Sequence, residues 1–419
     1  MKWKGLFVVV LLVIPFAVFA GGQGEEEERP EEVTLEFPSW QAEEPGFAEF
    51  WEYAIEEFEA KHPDVTVALN QIPFAQFRNS MITRLAAGNP PDVSHWPARN
   101  IPELAAEGWF ESLDDRLAET DIPETWTPLQ DSMVHNGETV GVLLMGYGYL
   151  LFYNEALLED AGVSVPTTLD ELLEAARAVT DRDEGIHGFA MVTQEHPNVY
   201  VDAAKFVIGE GERFMADGEY RFTEPAVVEL IEKYRELGQL SPQGASSAFA
   251  RQLLIDGRVA MLIDGPWVAA TLEQADPEIR PHLKTARVPT TQVTGGPSNS
   301  VHIARDIPEY RKEIVWEFIR ELTTPEAQKQ YTMLTRSPAA REGVLSEEEL
   351  ADDPQLALIN ESAAQAVNTW PQSNNVNVNY SRFSDMVAAA MLQLIQDPSA
   401  DTLTVLEELE ERLYSEIEP

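Results

Sequence analysis

The 419-residue chain contains no cysteine. Disulfides, thiolate metal sites and cysteine nucleophiles are therefore excluded. Basic residues are scarce, with 29 Lys and Arg against 72 Asp and Glu and a formal net charge of −43. So negative a surface repels phosphate backbones, and no nucleic-acid partner is expected. The seven histidines are scattered and form no His-Glu-x-x-His zinc pattern. No Gly-x-Ser-x-Gly elbow and no phosphate-cradling Walker loop occur. Asp181-Arg182-Asp183-Glu184-Gly185 begins like a calcium loop. It lacks the Glu that such a loop carries at its twelfth position, so an acidic turn is expected. Glycoside cleavage needs two carboxylates roughly 5–10 Å apart, and so acidic a chain always offers such a pair. No metal and no cofactor are expected.

Long apolar runs are also lacking, apart from Leu6 to Phe19. Lys2 and Lys4 precede this run, and Val18-Phe19-Ala20 closes it before Gly21. A charged start, a short apolar core and a small residue at the cleavage point mark residues 1–20 as a signal peptide. A retained anchor helix is the alternative, but Pro15 interrupts the run and its length is short for a membrane span. Residues 21–32 are rich in Gly and Glu and are expected to form a disordered acidic leader. The expected location is periplasmic or secreted.

What is present argues for a folded body. Nine Trp and 18 Phe are many for a disordered chain. The acids are spread along the chain, and salt screens such charge within about 3 Å at 1 M. A saline habitat and a simply acidic exported protein both fit that distribution.

Val33–Phe37 alternates as a strand, and Phe47, Trp51, Ile55 and Phe58 follow at helical spacing. His62-Pro63 ends that helix, and Val65–Leu69 reads as the next strand. A second helix around Phe77–Leu85 leads to a strand at Asp92–His95. This order predicts an α/β domain with a largely parallel sheet. The alternation continues through Thr139–Leu144, Tyr149–Tyr153, Gly188–Val192 and Val259–Ile263 as strands. Helices are expected after Thr168, where Glu171 completes a capping-box pattern, at Glu224–Leu237 and Glu309–Leu322, and through the tail Ser384–Ile417 with a break at Asp397-Pro398. No long linker and no repeat divide the chain. A two-lobed body, with several crossings between lobes, fits better than separate domains in series.

Several blocks carry a family likeness. They include Phe58-Glu59-Ala60-Lys61-His62-Pro63-Asp64-Val65, Leu85-Ala86-Ala87-Gly88-Asn89-Pro90-Pro91-Asp92-Val93 and Tyr153-Asn154-Glu155-Ala156-Leu157-Leu158. Gly257-Arg258-Val259-Ala260-Met261-Leu262-Ile263-Asp264-Gly265-Pro266-Trp267 and Thr324-Pro325-Glu326-Ala327-Gln328 follow in order. The sequence resembles the sugar-type, maltose-binding-protein-like solute-binding proteins of ABC importers. That resemblance implies a type II periplasmic-binding-protein fold: two α/β lobes, about three hinge crossings and a ligand cleft between the lobes. It implies residues 33–145 with 300–335 for lobe I, and 146–299 with 336–419 for lobe II. It further implies a non-enzymatic, monomeric binder of a small carbohydrate that delivers it to membrane permease subunits. Relatives are often lipid-anchored through a cysteine, and this chain has none. A same-fold binder of another solute, such as a glycerol phosphodiester, and a secreted carbohydrate-active enzyme are the alternatives.

The candidate site follows from strand ends and from the resemblance. Trp40 and Gln41 follow the first strand, and Trp96 ends another, where open α/β sheets place ligands. Arg99 aligns only loosely with charged ligand residues of the relatives. The resemblance places Trp267 against the ligand, with a lobe-packing role as the alternative. It also places Tyr147 in the site, within Gly146-Tyr147-Gly148-Tyr149, where glycines permit close approach. Tyr149 equally suits the core. Asp264 suits either hydroxyl recognition or a turn cap. Gly296 and Asn299 lie in a glycine-rich segment resembling a hinge crossing. Trp370 and Tyr380 flank an Asn-rich stretch that suits either hydroxyl recognition or a surface loop. Phosphate-bearing solutes require basic groups in the cleft, for which Arg78, Arg99 and Arg336 are candidates.

Overall fold

The computed structural model describes residues 29–419. The expected signal peptide and residues 21–28 of the leader lie outside these. Residues 29–32 approach the first strand without regular structure, and Arg29 pairs with Asp64.

Alternation makes Val33–Ser39 a strand, with Val33, Leu35 and Phe37 buried. It pairs in parallel with Val65–Gln71, from Val33↔Val65 to Ser39↔Gln71. The connecting helix, Phe47–Lys61, buries Phe47, Phe50, Trp51, Ala54 and Phe58. These residues form the single apolar stripe that an amphipathic helix turns inward.

The largely parallel sheet expected from the strand–helix alternation does not form. Val93–Pro97 pairs antiparallel with the long strand Thr294–Ile303, whose other edge pairs antiparallel with Val142–Gly148. In a second sheet, Leu150–Asn154 runs antiparallel to both Val259–Asp264 and Leu283–Arg287. Only His187–Ala190 lies parallel to Val259–Asp264 there. The reason is connectivity. Parallel order follows from consecutive strand–helix–strand units. Thr294–Ile303 instead returns from the second sheet and enters against that direction.

The chain leaves the first sheet at Tyr149 and comes back across residues 288–293. The expected lobe boundaries at 145/146 and 299/300 fall inside the two strands flanking these crossings, which stay paired as far as Gly148↔Gly295. Glycine is required for that approach. A Cβ on Gly295 would sit 1.9 Å from the Tyr147 carbonyl oxygen, and one on Gly148 would sit 2.2 Å from that of Ser362. Helix Tyr380–Gln396 packs on helices Asn198–Gly209 and Pro225–Leu240, beside the second sheet. Its first turn reaches the other side, where Ser381 bonds both Arg78 and Glu103. Thr168 caps its helix as expected, but Glu171 reaches back to Thr167 rather than Thr168, leaving half a capping box. Among the described residues, no helix is long and apolar enough to cross a membrane.

Candidate functional site

A cavity of ≈ 270 Å³ opens between the two sheets. One wall rises from the first sheet. Trp40, just past the end of Val33–Ser39, stacks flat on His95 with ring centres 4.2 Å apart and 4° between planes. His95 Nδ1 is held by Ser39 Oγ at 2.9 Å. Burial pushes the His95 imidazolium down to about 3, with His302 adding to it, so the ring is neutral and stacks without a charge. Gln41 is buried beside Trp40, and its Oε1 accepts from Asn299 Nδ2 at 3.0 Å. Phe74 and Arg99 extend this wall, the Arg99 guanidinium lying 5.7 Å over the Phe74 ring.

The opposite wall rises from the second sheet and is ionic. Asp264 ends strand Val259–Asp264, and its two oxygens divide their work. Oδ2 accepts from Arg251 Nε at 2.7 Å, while Oδ1 accepts from Gly265 N–H at 2.7 Å and Trp267 Nε1–H at 3.1 Å. Burial pushes this carboxyl up, but Arg251, Lys205 and these hydrogen bonds outweigh it and hold it below its usual range. Lys205 pairs with Asp202 at 2.6 Å, donates to the Ile263 carbonyl at 2.9 Å and lies 4.4 Å from the Tyr149 ring centre. Tyr149 and Tyr147 touch through their hydroxyls at 3.1 Å, and Tyr147 meets Trp267 with ring centres 5.2 Å apart. Glu44, on the first wall, faces Arg251 and Asp264; burial raises its carboxyl to about 7. Aromatic faces with a few fixed polar groups are the ordinary construction of a small-molecule site.

Residues 41–329 match the family described as bacterial extracellular solute-binding protein. The chain belongs to that family. A Streptococcus mutans relative, a multiple sugar-binding protein, is 21% identical over 365 residues, 82% of this chain and 84% of its own. A Brucella abortus relative is 24% identical over 239 residues, and the match spans 58% of that relative's length and 55% of this chain. A solved solute-binding protein of Thermotoga lettingae, bound with α-D-tagatose, superposes with a TM-score of 0.80 at 22% identity. That superposition covers 92% of this chain and 99% of the other, and shows the type II periplasmic-binding-protein fold.

Of the residues singled out in this solute-binding protein's sequence, Trp40, Gln41, Arg99, Tyr147, Asp264, Trp267, Trp370 and Tyr380 line the cavity. Three do not. Trp96 is fully buried against Phe77, because successive strand residues face opposite ways and its neighbour Pro97 takes the cavity side. Gly296 sits against Asn368 while Pro297 and Ser298 face the cavity. Asn299 lies behind the wall, between Gln41 and the Tyr331 hydroxyl. For Asp264 the turn-cap alternative is the one formed, and Trp267 is tied to it. Asp264 has both oxygens engaged by protein, and the Trp267 N–H is taken up by Asp264, so Trp267 presents ring area.

The sequence reading missed Glu44, Phe74, His196, Arg251 and the Asp202–Lys205 pair. The pair had a signal. In Asn198–Gly209, otherwise free of charge, an Asp and a Lys stand three residues apart, and every residue from Val199 to Gly209 is buried. Buried charges are almost always paired, and such a pair in an apolar helix marks a special position.

Proposed function

We propose that this protein is the exported binding component of a carbohydrate ABC importer. It takes a sugar into the cavity between the two lobes and passes it unchanged to membrane permease subunits. The observation that carries this reading is the cavity itself: Tyr147 and Trp267 offer apolar ring area at the meeting of the two sheets, and fixed polar groups surround them. Sugar C–H faces suit the rings, and sugar hydroxyls suit the amide of Gln41 and the guanidinium of Arg99. The multiple sugar-binding relative and the tagatose-bound structure support the same class of solute. Residues 1–20 supply the export signal in this reading, and the protein works as a monomer without nucleic acid.

Binding without turnover is supported by the state of the acids. Glycoside cleavage requires two available carboxylates. Asp202 and Asp264 are each tied to a cation, which leaves Glu44 alone among the described acids lining the cavity. A melting screen against mono- and oligosaccharides tests the proposal, since a ligand that binds only the folded state raises its apparent stability. At least one sugar is expected to raise the melting point and to be recovered intact by chromatography. Cleavage products, or no shift with any sugar, would overturn it.

A further inference from the structure

The charges of the cavity bear on the charge of the ligand. Among the described residues three cations line it: Arg99, Lys205 and Arg251. Lys205 is matched by Asp202 and Arg251 by Asp264. Arg99 is not matched. Among the described residues its polar partner is a neutral amide, Asn198 Oδ1 at 3.0 Å. In a chain with 72 acids and 29 bases, a cavity cation left without an acid is a feature to explain.

Its surroundings are donors as well. His196 Nδ1 accepts the Asn198 backbone N–H at 3.0 Å, so the neutral ring carries its proton on Nε2. Burial, aided by Arg99, keeps that ring neutral by pushing it down to about 4. Tyr380 is 3% exposed, and among the described residues its hydroxyl has no hydrogen-bond partner. Arg99, His196 and Tyr380 all line the place where the main cavity meets a smaller one of ≈ 130 Å³. The smaller cavity also holds Asp385, whose charged neighbours are Arg78, Glu103 and Glu195.

We propose that the ligand is an acidic sugar, a uronic acid or an oligosaccharide bearing one, whose carboxylate sits between Arg99 and the Tyr380 hydroxyl. The proposal rests on the sugar-binding reading above and narrows it. A neutral sugar filling the cavity would strip water from Arg99 and supply no counter-charge, which is costly for a buried ion. A carboxylate matches the guanidinium fork with two parallel hydrogen bonds and cancels its single charge. A phosphate monoester brings nearly two charges, twice what Arg99 supplies.

The test is calorimetric titration at constant ionic strength with three sets of probes. These are galacturonic and glucuronic acids with their short oligomers, galactose and glucose with neutral oligomers of equal length, and the corresponding sugar phosphates. Acidic sugars are expected to bind about tenfold or more tighter than their neutral counterparts, in line with the greater strength of charge-assisted hydrogen bonds. Arg99→Gln, which can still bond Asn198, should abolish that preference by weakening acidic sugars about tenfold more than neutral ones. Tyr380→Phe should reduce the preference several-fold, and a melting curve of each variant without sugar checks that it is folded. Equal binding of acidic and neutral sugars overturns the proposal and leaves the sugar reading standing. So does equal weakening of both by Arg99→Gln. Preference for sugar phosphates overturns the choice of carboxylate. Binding of no sugar at all overturns both readings.

Discussion

The two walls of the cavity are built by different physics. Apart from Glu44 and Arg99, the first-sheet wall is neutral: Trp40 lies on an uncharged His95, and Gln41 is fixed by the Asn299 amide. The second-sheet wall is ionic: Asp264 joins Arg251, Trp267 and Gly265, and Asp202 joins Lys205. Neutral stacks and amide bonds are individually modest, about 0.5–1.5 kcal/mol each, and tolerate a lost partner better. A buried ion pair adds little net stability, yet removing one member leaves an uncompensated charge at a cost of about 3–5 kcal/mol. The difference teaches that the ionic wall balances its own charges, so its contribution to a ligand is shape. A ligand's charge is left to Arg99, on the neutral wall.

The largest effect should come from breaking the ionic wall. Asp264→Ala leaves Arg251 without its acid and Trp267 without its anchor. A loss of about 3–5 kcal/mol in urea denaturation is expected, with the double change Asp264→Ala, Arg251→Met recovering much of it. A loss under about 1 kcal/mol would mean that water already compensates Arg251 and that the two walls do not differ in kind.

Next in size is a pH effect. The Glu44 carboxyl is raised by burial to about 7, opposed by Arg251 and assisted by Asp264. The folded state therefore holds a proton that the unfolded chain releases above about 4.5. The favourable contribution is full below that pH and is lost as pH rises toward about 7. Because Glu44 keeps part of its surface open to the cavity, the loss should be on the order of 2 kcal/mol. Glu44→Gln should flatten this fall in melting temperature between pH 5 and 8 relative to the unchanged protein. Parallel pH curves for the two proteins would show that Glu44 ionises freely. His95, on the same wall, responds in the other direction. His95 has a depressed folded pKa of about 3, so its contribution is present at neutral pH and is lost only as pH falls below about 6.5 toward 3.

Smaller again is the effect of trimming the aromatic face at Trp267. Trp267 is half-buried, whereas Tyr147 is 7% exposed. Trp267→Ala should weaken sugar binding about tenfold, roughly 1.4 kcal/mol, with a smaller change in stability. Tyr147→Ala should weaken binding too, but with a larger loss of stability, since truncating a buried aromatic costs about 3–5 kcal/mol of folding free energy. Titration beside melting separates the two. A Trp267→Ala protein that melts early yet binds normally would make Trp267 a core residue.

Much of this was legible before the fold was known. The sequence delimits helix Glu309–Leu322 to the residue, because its apolar spacing is regular and Thr324-Pro325 fixes the next start. Strand-end logic points to Trp40 and Gln41, and both line the cavity. The same logic failed at Trp96, because a strand end offers two faces and nothing local says which one meets the cavity. The sheet direction was missed because Thr294–Ile303 pairs with strands about 150 and 200 residues earlier, and pairing at such separation leaves no trace in local periodicity. Arg251 was missed for a related reason. Its partner Asp264 lies on the next element, and only the turn between them brings the two charges together.

A comparably small effect tests the first wall directly. Asn299 is fully buried, donates to Gln41 Oε1 at 3.0 Å and lies 3.3 Å from the Tyr331 hydroxyl. Asn299→Ala removes the donor and leaves the Gln41 carbonyl short of a partner at the back of the cavity. No charge is stranded, so the cost should be about 1–2 kcal/mol, well under that of Asp264→Ala. Sugar binding should fall only a few-fold, because Gln41 keeps its place through its backbone N–H to Ser39 Oγ at 3.0 Å while its amide is freed to turn. The effect should not change between low and high salt, whereas the Asp264→Ala deficit should shrink as salt screens the stranded Arg251. Urea denaturation of both variants at two salt concentrations reads this contrast. Equal losses, or equal salt responses, would erase the distinction between the walls and with it the reason to single out Arg99 as the cation that meets the ligand.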